Sequence, residues 1–434
     1  METATHAFHP SKGIFRFTIL GFIALLTFGS YFAYDIIGAV APSLVEEWGA
    51  GRDIVGSMYT MYSVAAILSV FIGGILIDRL GPRVASLLFS TLVVIGSAVV
   101  AWADRLPLLF LGRFLFGAGS EPLIVAQMAM VSRWFKGKEL ALAFGITLTV
   151  SRIGTIFSFN TGELIAEHFG GYHYSLVAAF LFCLVSLLAN IVYVLMDHYG
   201  ERILNPGAYE KSEKLSLRDI REFKSHFWLV TFLCLAFYSA VFPFTALSTD
   251  FFVDKWGIPK VVASSGNFWV RALHNFLHMT STAGGVSSIV IFASMICAPF
   301  AGHLVDKIGK RVTLMIIGSL FLTISHLCMA LTRIYPVYPM ALLGVAFVLV
   351  PAALWPSVPL IVKKETLGTA FGLLTMIQNI GLALFPYLNG VLRDVTHSYT
   401  QSMLMFASLG LIGFGCALFL KRADGQWGNV LEKP

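Results

Sequence analysis

The chain has 434 residues, 57% of them hydrophobic and 12% charged, with 30 Lys and Arg against 24 Asp and Glu and a formal net charge of +6. Soluble domains carry about 25% charged residues, so a soluble enzyme or nucleic-acid-binding fold is excluded and an integral membrane protein is indicated.

Twelve apolar segments follow one another, centred near Ala24, Ala66, Val93, Leu123, Val150, Leu187, Phe237, Ala293, Gly318, Val348, Gly381 and Leu411. Most are about 20 residues long, enough to cross a hydrocarbon core of roughly 30 Å as helices. Alternating strand-length segments are absent, which argues against a β-barrel. The first segment follows Lys12 and Arg16, runs to Tyr34 and Asp35, and shows no small-residue cleavage pattern. It reads as the first membrane helix and not as a removable signal peptide. With the N-terminus, the even-numbered loops and the C-terminus assigned to the cytoplasm, 21 of the 30 Lys and Arg fall on that side, 7 fall in the odd-numbered loops, and Arg113 and Arg152 lie inside segments. That positive-inside excess predicts cytoplasmic termini, and it makes the net charge a topology signal that gives a nucleic-acid partner no support.

Between the second and third segments stands GGILIDRLGPR, Gly73 to Arg83. Between the eighth and ninth stands AGHLVDKIGKR, Ala301 to Arg311, with Asp78 and Asp306 228 positions apart. KELALAFGITLT, Lys138 to Thr149, aligns with ETLGTAFGLLTM, Glu365 to Met376, at an offset of 227. A signature that recurs at half the chain length makes the chain two copies of one unit. The expected divisions are an N-terminal six-helix half over 1–196, a cytoplasmic linker over 197–225, and a C-terminal six-helix half over 226–434. This all-α, twelve-helix, 6+6 pseudo-symmetric pattern resembles the major facilitator architecture, in which substrate binds at the bilayer midplane between the halves. The loop signature resembles that superfamily's hallmark, which implies a latching and gating role for Gly74, Asp78, Arg79, Gly81 and Arg83 in the first copy and Gly302, Asp306, Lys307, Gly309 and Arg311 in the second. None of these is expected to bind substrate.

The linker carries Arg202, Lys211, Lys214, Arg218 and Arg221 among several acids, and Leu217, Ile220 and Phe223 predict a short amphipathic helix within it. An extracytoplasmic insertion at about 258–283 departs from the repeat. Trp269, Leu273, Phe276 and Leu277 recur there at helical spacing, which predicts a helix along the outer membrane interface. Cys183, Cys234, Cys297, Cys328 and Cys416 all lie in apolar segments without paired spacing, so neither a disulfide frame nor a zinc site is expected. His274 and His278 have i, i+4 spacing but no nearby carboxylate or thiol, and they read as surface residues. No nucleophile and base pair, metal spacing or phosphate loop appears, so no catalytic residue, cofactor or metal is expected.

Function then rests on the charges inside the spans, because an ionised side chain at mid-membrane costs roughly 2.5 to 3.5 kcal/mol on insertion scales. Four stand out: Asp35, Arg113, Glu121 and Arg152. Counting from Arg133 and Lys138 at about 1.5 Å per residue puts Glu121 and Arg152 level, roughly 18 and 21 Å above the inner boundary. The same count puts Asp35 and Arg113 level at roughly 28 and 30 Å. One reading pairs Asp35 with Arg113 and leaves Glu121 and Arg152 as separate cavity anchors of opposite sign. The other joins all four in a structural network that holds the first, fourth and fifth helices. At matching positions of the second half stand Asn379 for Arg152 and Leu349 for Glu121, so that half offers Trp355, Gln378 and Asn379. Trp355 reads as an aromatic wall or as packing. An anion anchor, a cation anchor and an aromatic wall suit a small zwitterion, such as a peptide or amino acid.

The strings GRFLFGAGSEPLIVAQ (Gly112 to Gln127), WFKGKELALAFGITLTVSRIGT (Trp134 to Thr155), AVFPF (Ala240 to Phe244) and ALWPSVPLIV (Ala353 to Val362) are more specific than the loop signature. With SYFAYD (Ser30 to Asp35), LGTAFG (Leu367 to Gly372) and IQNIGLA (Ile377 to Ala383), they resemble the lysosomal dipeptide transporter branch of the major facilitator superfamily across all twelve helices. The resemblance implies Glu121 for the amino terminus of a dipeptide, Arg152 for its carboxylate and Trp355 for its backbone or side chain, with transport as a uniporter. The N-terminus METATHAFHPSKG lacks the acidic dileucine sorting signal of the animal members, so their localisation does not carry over; a compact chain with short termini reads as a bacterial inner-membrane protein, or a lysosomal one if animal. The companion glycoprotein of animal homologues is not expected, and a monomer in the lipid bilayer is. Two alternatives remain: a proton-coupled symporter or antiporter of organic anions or amino acids, with the proton on Glu121 or Asp35, and a non-transporting membrane receptor.

Overall fold

The computed structural model describes residues 9–10, 12–49, 51–135, 139–204, 223–363 and 366–433. The amphipathic helix expected around Leu217 and Ile220, and the side chain of Asp306, lie outside the described residues. The helices in chain order are α1 (Gly13–Leu25), α2 (Phe28–Ala39), α3 (Ala41–Trp48), α4 (Arg52–Ala101), α5 (Leu106–Phe135), α6 (Leu140–Phe169), α7 (Tyr172–Leu204), α8 (Ser225–Thr245), α9 (Ser248–Trp256), α10 (Phe268–Leu277), α11 (Ala283–Ile308), α12 (Arg311–Leu331), α13 (Val337–Ile361), α14 (Leu367–Thr396) and α15 (Thr400–Gln426). Among the described residues, twelve helices are long and apolar enough to cross a membrane, and there are no strands. The protein is an all-α, multi-pass membrane protein.

Two of the expected spans share α4. Gly81, at φ +74° and ψ +159°, interrupts the helical backbone of α4 inside the span Ile72–Ala101, which follows the span Arg52–Val70. That backbone region is essentially reserved for glycine, and Pro82 supplies no N–H to continue a helical ladder across it. Between α11 and α12 the corresponding turn is made differently, by Gly309 at φ +62° and ψ −109° followed by Lys310 at φ +42° and ψ +39°. The first span is broken in the other sense: α1 ends at Leu25 and α2 resumes at Phe28, with Leu26 N–H donating to the Ile23 carbonyl across the step.

The chain divides into two compact units. The first holds Met1–Ile36, Val64–Ser158 and His173–Ser212, and the second holds Ile37–Ser63, Phe159–Tyr172 and Glu213–Pro434. In the first unit the second limb of α4 packs closely on α5. A Cβ at Gly96 would lie 2.3 Å from the Phe116 nitrogen, and one at Gly119 would lie 2.7 Å from the Phe89 carbonyl oxygen. Small residues let membrane helices approach this closely, so their backbones gain dispersion contacts that lipid cannot match.

Segments 37–63 and 159–172 fall in the first half of the sequence but pack with the second unit, for identifiable reasons. Arg52 donates twice to Asp250, at 2.7 and 3.3 Å, and lies 3.8 Å from Asp394. Asp394 accepts the Asp53 N–H at 3.0 Å, which satisfies one of the donors that open α4. The Tyr399 hydroxyl also donates to Asp250, and burial together with that carboxylate pushes its pKa well above the ordinary tyrosine value, so it remains a donor. Backbones meet here as well. A Cβ at Gly56 would lie 2.2 Å from the Pro386 carbonyl oxygen, and one at Gly390 would lie 2.3 Å from that of Arg52.

The helix expected in the 258–283 insertion is α10. Asn267 caps it by accepting the Val270 N–H at 3.0 Å. Buried Asn275 ties it down, donating to the Asn160 carbonyl at 2.7 Å and accepting the Val262 N–H at 3.2 Å. The apolar face stays outward, with Trp269 77% exposed.

Candidate functional site

Both described halves of the loop repeat are braced, by different partners. In the first unit Arg83 pairs with Asp197 and Glu201 near the end of α7, and Arg133 from α5 joins the same two acids at 3.2 and 2.7 Å. Asp197 is fully buried and also accepts the Trp134 indole N–H at 2.6 Å. Asp78 is half-buried and Arg79 is exposed. In the second unit the turn is held by the segment after α15. The N–H groups of Lys310 and Arg311 donate to the carbonyls of Glu432 and Leu431, at 3.1 and 3.0 Å. The Glu432 carboxylate accepts the Thr313 N–H at 2.9 Å, and Arg311 donates to the Lys433 carbonyl at 2.7 Å. Lys307 is exposed. Gly81 and Gly309 are glycines because of their φ, whereas a Cβ at Gly74 or Gly302 would meet nothing within 4 Å, so packing in this state does not require those two.

The four intramembrane charges belong to the first unit, on α2, α5 and α6, and their exposure divides them as depth counting does. Asp35 and Arg113 are buried; Glu121 and Arg152 are half-buried. Thr155, one turn after Arg152 on α6, donates to Asp35 Oδ2 at 2.6 Å. Arg113 lies within electrostatic reach of that carboxylate and donates to the Ala33 carbonyl at 3.1 Å. Its guanidinium lies over the rings of Phe116 and Tyr34, at 5.3 and 5.7 Å, which offsets part of the cost of burying a cation. Asp35 and Arg113 thus bind α2 to α5 and α6 through Thr155 and a backbone carbonyl as well as through their charges. Glu121, Arg152 and Asp35 all act electrostatically on Tyr31 of α2, which makes this half-buried tyrosine the shared neighbour of both signs of charge.

Tyr31 and Thr155 were not among the residues expected from sequence. Neither was the polar lattice one turn lower, where the Thr27 and Ser151 hydroxyls meet at 2.6 Å. There Gln127 Nε2 donates to the Ile23 carbonyl at 2.7 Å, at the α1–α2 break. Isolated hydroxyls and amides in an apolar segment carry no spacing pattern, so only their contacts reveal them.

The residues expected from the second half lie in the second unit. Trp355 on α13 is half-buried, donates its indole N–H to the Tyr238 hydroxyl at 2.9 Å, and stacks on Phe371 of α14 at 6.0 Å and 28°. Gln378 accepts from the Cys234 thiol at 3.4 Å. Asn379 is buried and donates one amide N–H to the Thr375 carbonyl of its own helix at 3.0 Å. Pro356 and Pro359 supply no N–H to the turn below them, which leaves the Ala352 and Trp355 carbonyls without their usual helical donors. Non-helical hydrogen bonding at membrane depth is tolerated where protein or a water-filled cavity receives it.

Twelve spans, a repeated charged turn and opposite charges held inside the helices define a polytopic membrane transporter. The Major Facilitator Superfamily profile matches residues 23–266 and again 265–433. The chain belongs to that superfamily. It is 33% identical over 402 residues to the lysosomal dipeptide transporter MFSD1 of Danio rerio, covering 89% of this chain and 82% of that one. It is likewise 33% identical over 436 residues to the Mus musculus protein of the same name, covering 97% and 89%. Among solved structures, a variant of the nucleoside transporter NupG superposes with a TM-score of 0.71 at 13% identity, over 93% of this chain and 99% of that one, which shows the shared fold.

Proposed function

We propose that this protein moves dipeptides across a membrane by alternating access, as a uniporter, with Glu121 receiving the substrate ammonium and Arg152 its carboxylate. The observation that carries this reading is the pair of half-buried, opposite charges on α5 and α6, both within electrostatic reach of Tyr31, in a chain one-third identical to dipeptide transporters. A simple anion has no use for Glu121, and an apolar solute has none for Arg152. Because the single donor of Trp355 is already engaged by Tyr238, that residue meets substrate through its ring face, with Gln378 and Asn379 as further polar contacts. The excess of Lys and Arg in the loops that carry Asp78 and Lys307 supports cytoplasmic termini, and the likeness of their repeated signature to the superfamily's hallmark supports a gating role for those loops.

The test is thermal stabilisation of the purified protein by dipeptides, free amino acids, tripeptides, and N-acetylated or C-amidated dipeptides. Ligand bound only to the folded state adds about 2.7 kcal/mol of apparent stability at one hundred times Kd. Free dipeptides are expected to stabilise the native chain, and the shift is expected to vanish when either terminus is blocked or in Glu121→Gln or Arg152→Ala. Stabilisation by mono- or dicarboxylates alone would replace this reading with that of an organic-anion carrier. Dipeptide uptake that collapses with a protonophore would replace uniport with proton coupling.

A further inference from the structure

We propose that Tyr238 is the positioning residue of the substrate-recognition tryptophan: by accepting the Trp355 indole N–H, its hydroxyl sets which face of the ring the substrate meets. This rests on the role proposed above for Trp355. The indole has one donor, and it points at the Tyr238 oxygen at 2.9 Å. The bond selects the ring flip that turns the N–H toward Tyr238, and so the face presented, while the near-parallel stack on Phe371, at 6.0 Å and 28°, fixes its tilt.

Tyr238 is itself held firmly. Its ring lies parallel to that of Phe242, one turn on along α8, at 5.9 Å and 9°, and Phe347 of α13 meets both rings edge-on, at 6.5 and 5.4 Å. Offset-parallel and edge-to-face arrangements are the preferred aromatic geometries, so this cluster resists rotation of the tyrosine. Phe242, Phe347 and Phe371 pack without a polar atom. A hydroxyl is needed at 238 because an indole N–H in a membrane interior requires an acceptor. Tyr238 is buried whereas Trp355 is half-buried, so the tyrosine acts through the indole. Three helices, α8, α13 and α14, thereby agree on one orientation of one ring.

The experiment is a double-mutant cycle on initial rates of alanyl-alanine uptake into proteoliposomes, with Tyr238→Phe, Trp355→Phe and the double variant. Tyr238→Phe is expected to raise KM about tenfold, equivalent to about 1.4 kcal/mol, with Vmax within twofold of native. In the Trp355→Phe background the same change is expected to have no effect, since no N–H remains for the hydroxyl to receive. An equal KM increase in both backgrounds, or none in the native one, overturns the proposal. A Trp355→Phe variant with native KM, beside a Glu121→Gln variant that no longer transports, would remove the tryptophan's role while leaving dipeptide transport standing. A second measurement needs no substrate: the ultraviolet resonance Raman band of the Trp355 N–H, isolated by subtracting the Trp355→Phe spectrum, is expected to move from bonded to weakly bonded in Tyr238→Phe. An unmoved band overturns the proposal whatever the transport assay gives.

Discussion

Replacing Asp250 by Asn tests whether the packing of segment 37–63 within the second unit is held by charge. Asp250 accepts two hydrogen bonds from Arg52 and one from Tyr399, and its side chain is 7% exposed. Removing one member of a fully buried pair costs about 3–5 kcal/mol. Here Arg52 keeps 23% of its side-chain surface in contact with solvent, and Asp394 stands 3.8 Å away to take over part of the charge. The net loss is therefore about 1–2 kcal/mol, or a factor of about 5–30 in the equilibrium between packed and separated arrangements. Thr60 is a suitable reporter, because it is half-buried, its hydroxyl donates to the Ala383 carbonyl of α14, and it gains exposure when that contact opens. In a chain whose five native cysteines are replaced, maleimide labelling of Thr60→Cys is expected to accelerate by that factor when Asp250→Asn is added. Labelling that is no faster, in a variant of unchanged thermal stability, would refute the reasoning: segment 37–63 would then be held by the backbone contacts at Gly56 and Gly390.

Asp197→Asn removes a fully buried carboxylate shared by Arg83, Arg133 and Trp134, and a loss of about 3–5 kcal/mol is expected in thermal unfolding. Gly81→Ala places a Cβ at φ +74°, ψ +159° and is expected to cost about 1–3 kcal/mol by the same measurement, whereas Gly74→Ala, which meets nothing within 4 Å, should leave stability unchanged. Asn275→Ala deprives the Val262 N–H of its acceptor and the Asn160 carbonyl of its donor. A loss of about 1–3 kcal/mol is expected locally, read as faster proteolysis within 259–267 with little change in the global unfolding transition.

The spans were legible because crossing a bilayer imposes length and composition on a continuous stretch, which a one-dimensional reading detects. The intramembrane charges were legible for the same reason, and counting residues from the basic loops separated Glu121 and Arg152 from Asp35 and Arg113 before burial did. What the sequence hid are contacts with no period. Tyr238 and Trp355 are 117 positions apart, and Arg52 and Asp250 are 198 apart; Trp355 stands out in its segment, but its partner Tyr238, like Arg52 and Asp250, looks ordinary. The break at Leu26 was hidden as well, since neither glycine nor proline marks it and the Gln127 amide that occupies the Ile23 carbonyl comes from α5. The same limit explains why residues 37–63 follow the first half in sequence but the second unit in space: the acids that capture Arg52 and Asp53 lie on α9 and α14.

The two halves place a positive-φ glycine at the same point of the repeat, but the groups that brace it differ. In the first copy Arg83 is held by two carboxylates on a neighbouring helix, so its bracing is ionic and depends on side-chain charge. In the second copy the N–H groups of Lys310 and Arg311 bond to backbone carbonyls of residues 431 and 432, and Leu431 is buried beneath them, its own N–H accepted by Asp424 at 3.1 Å. Backbone bonds of this kind persist through most side-chain substitutions, whereas the ionic cluster is undone by one. The intramembrane charges show the same asymmetry, since Glu121 and Arg152 have Leu349 and Asn379 as their counterparts in the repeat. Both the proposed substrate anchors and the ionic cluster at Arg83 therefore belong to the first half. A ligand that alters the field around Tyr31 acts on α5, the helix that carries Glu121 at one level and Arg133 of the latch three turns further on. In the second unit Trp355 is set by aromatic packing, and the turn is bonded through backbone carbonyls as well as through Glu432 and Asp424. Substrate binding is accordingly expected to change the exchange of the Arg83 and Arg133 guanidinium protons and to leave the amides of Lys310 and Arg311 protected. Equal responses at both turns would show that the halves are coupled to substrate alike.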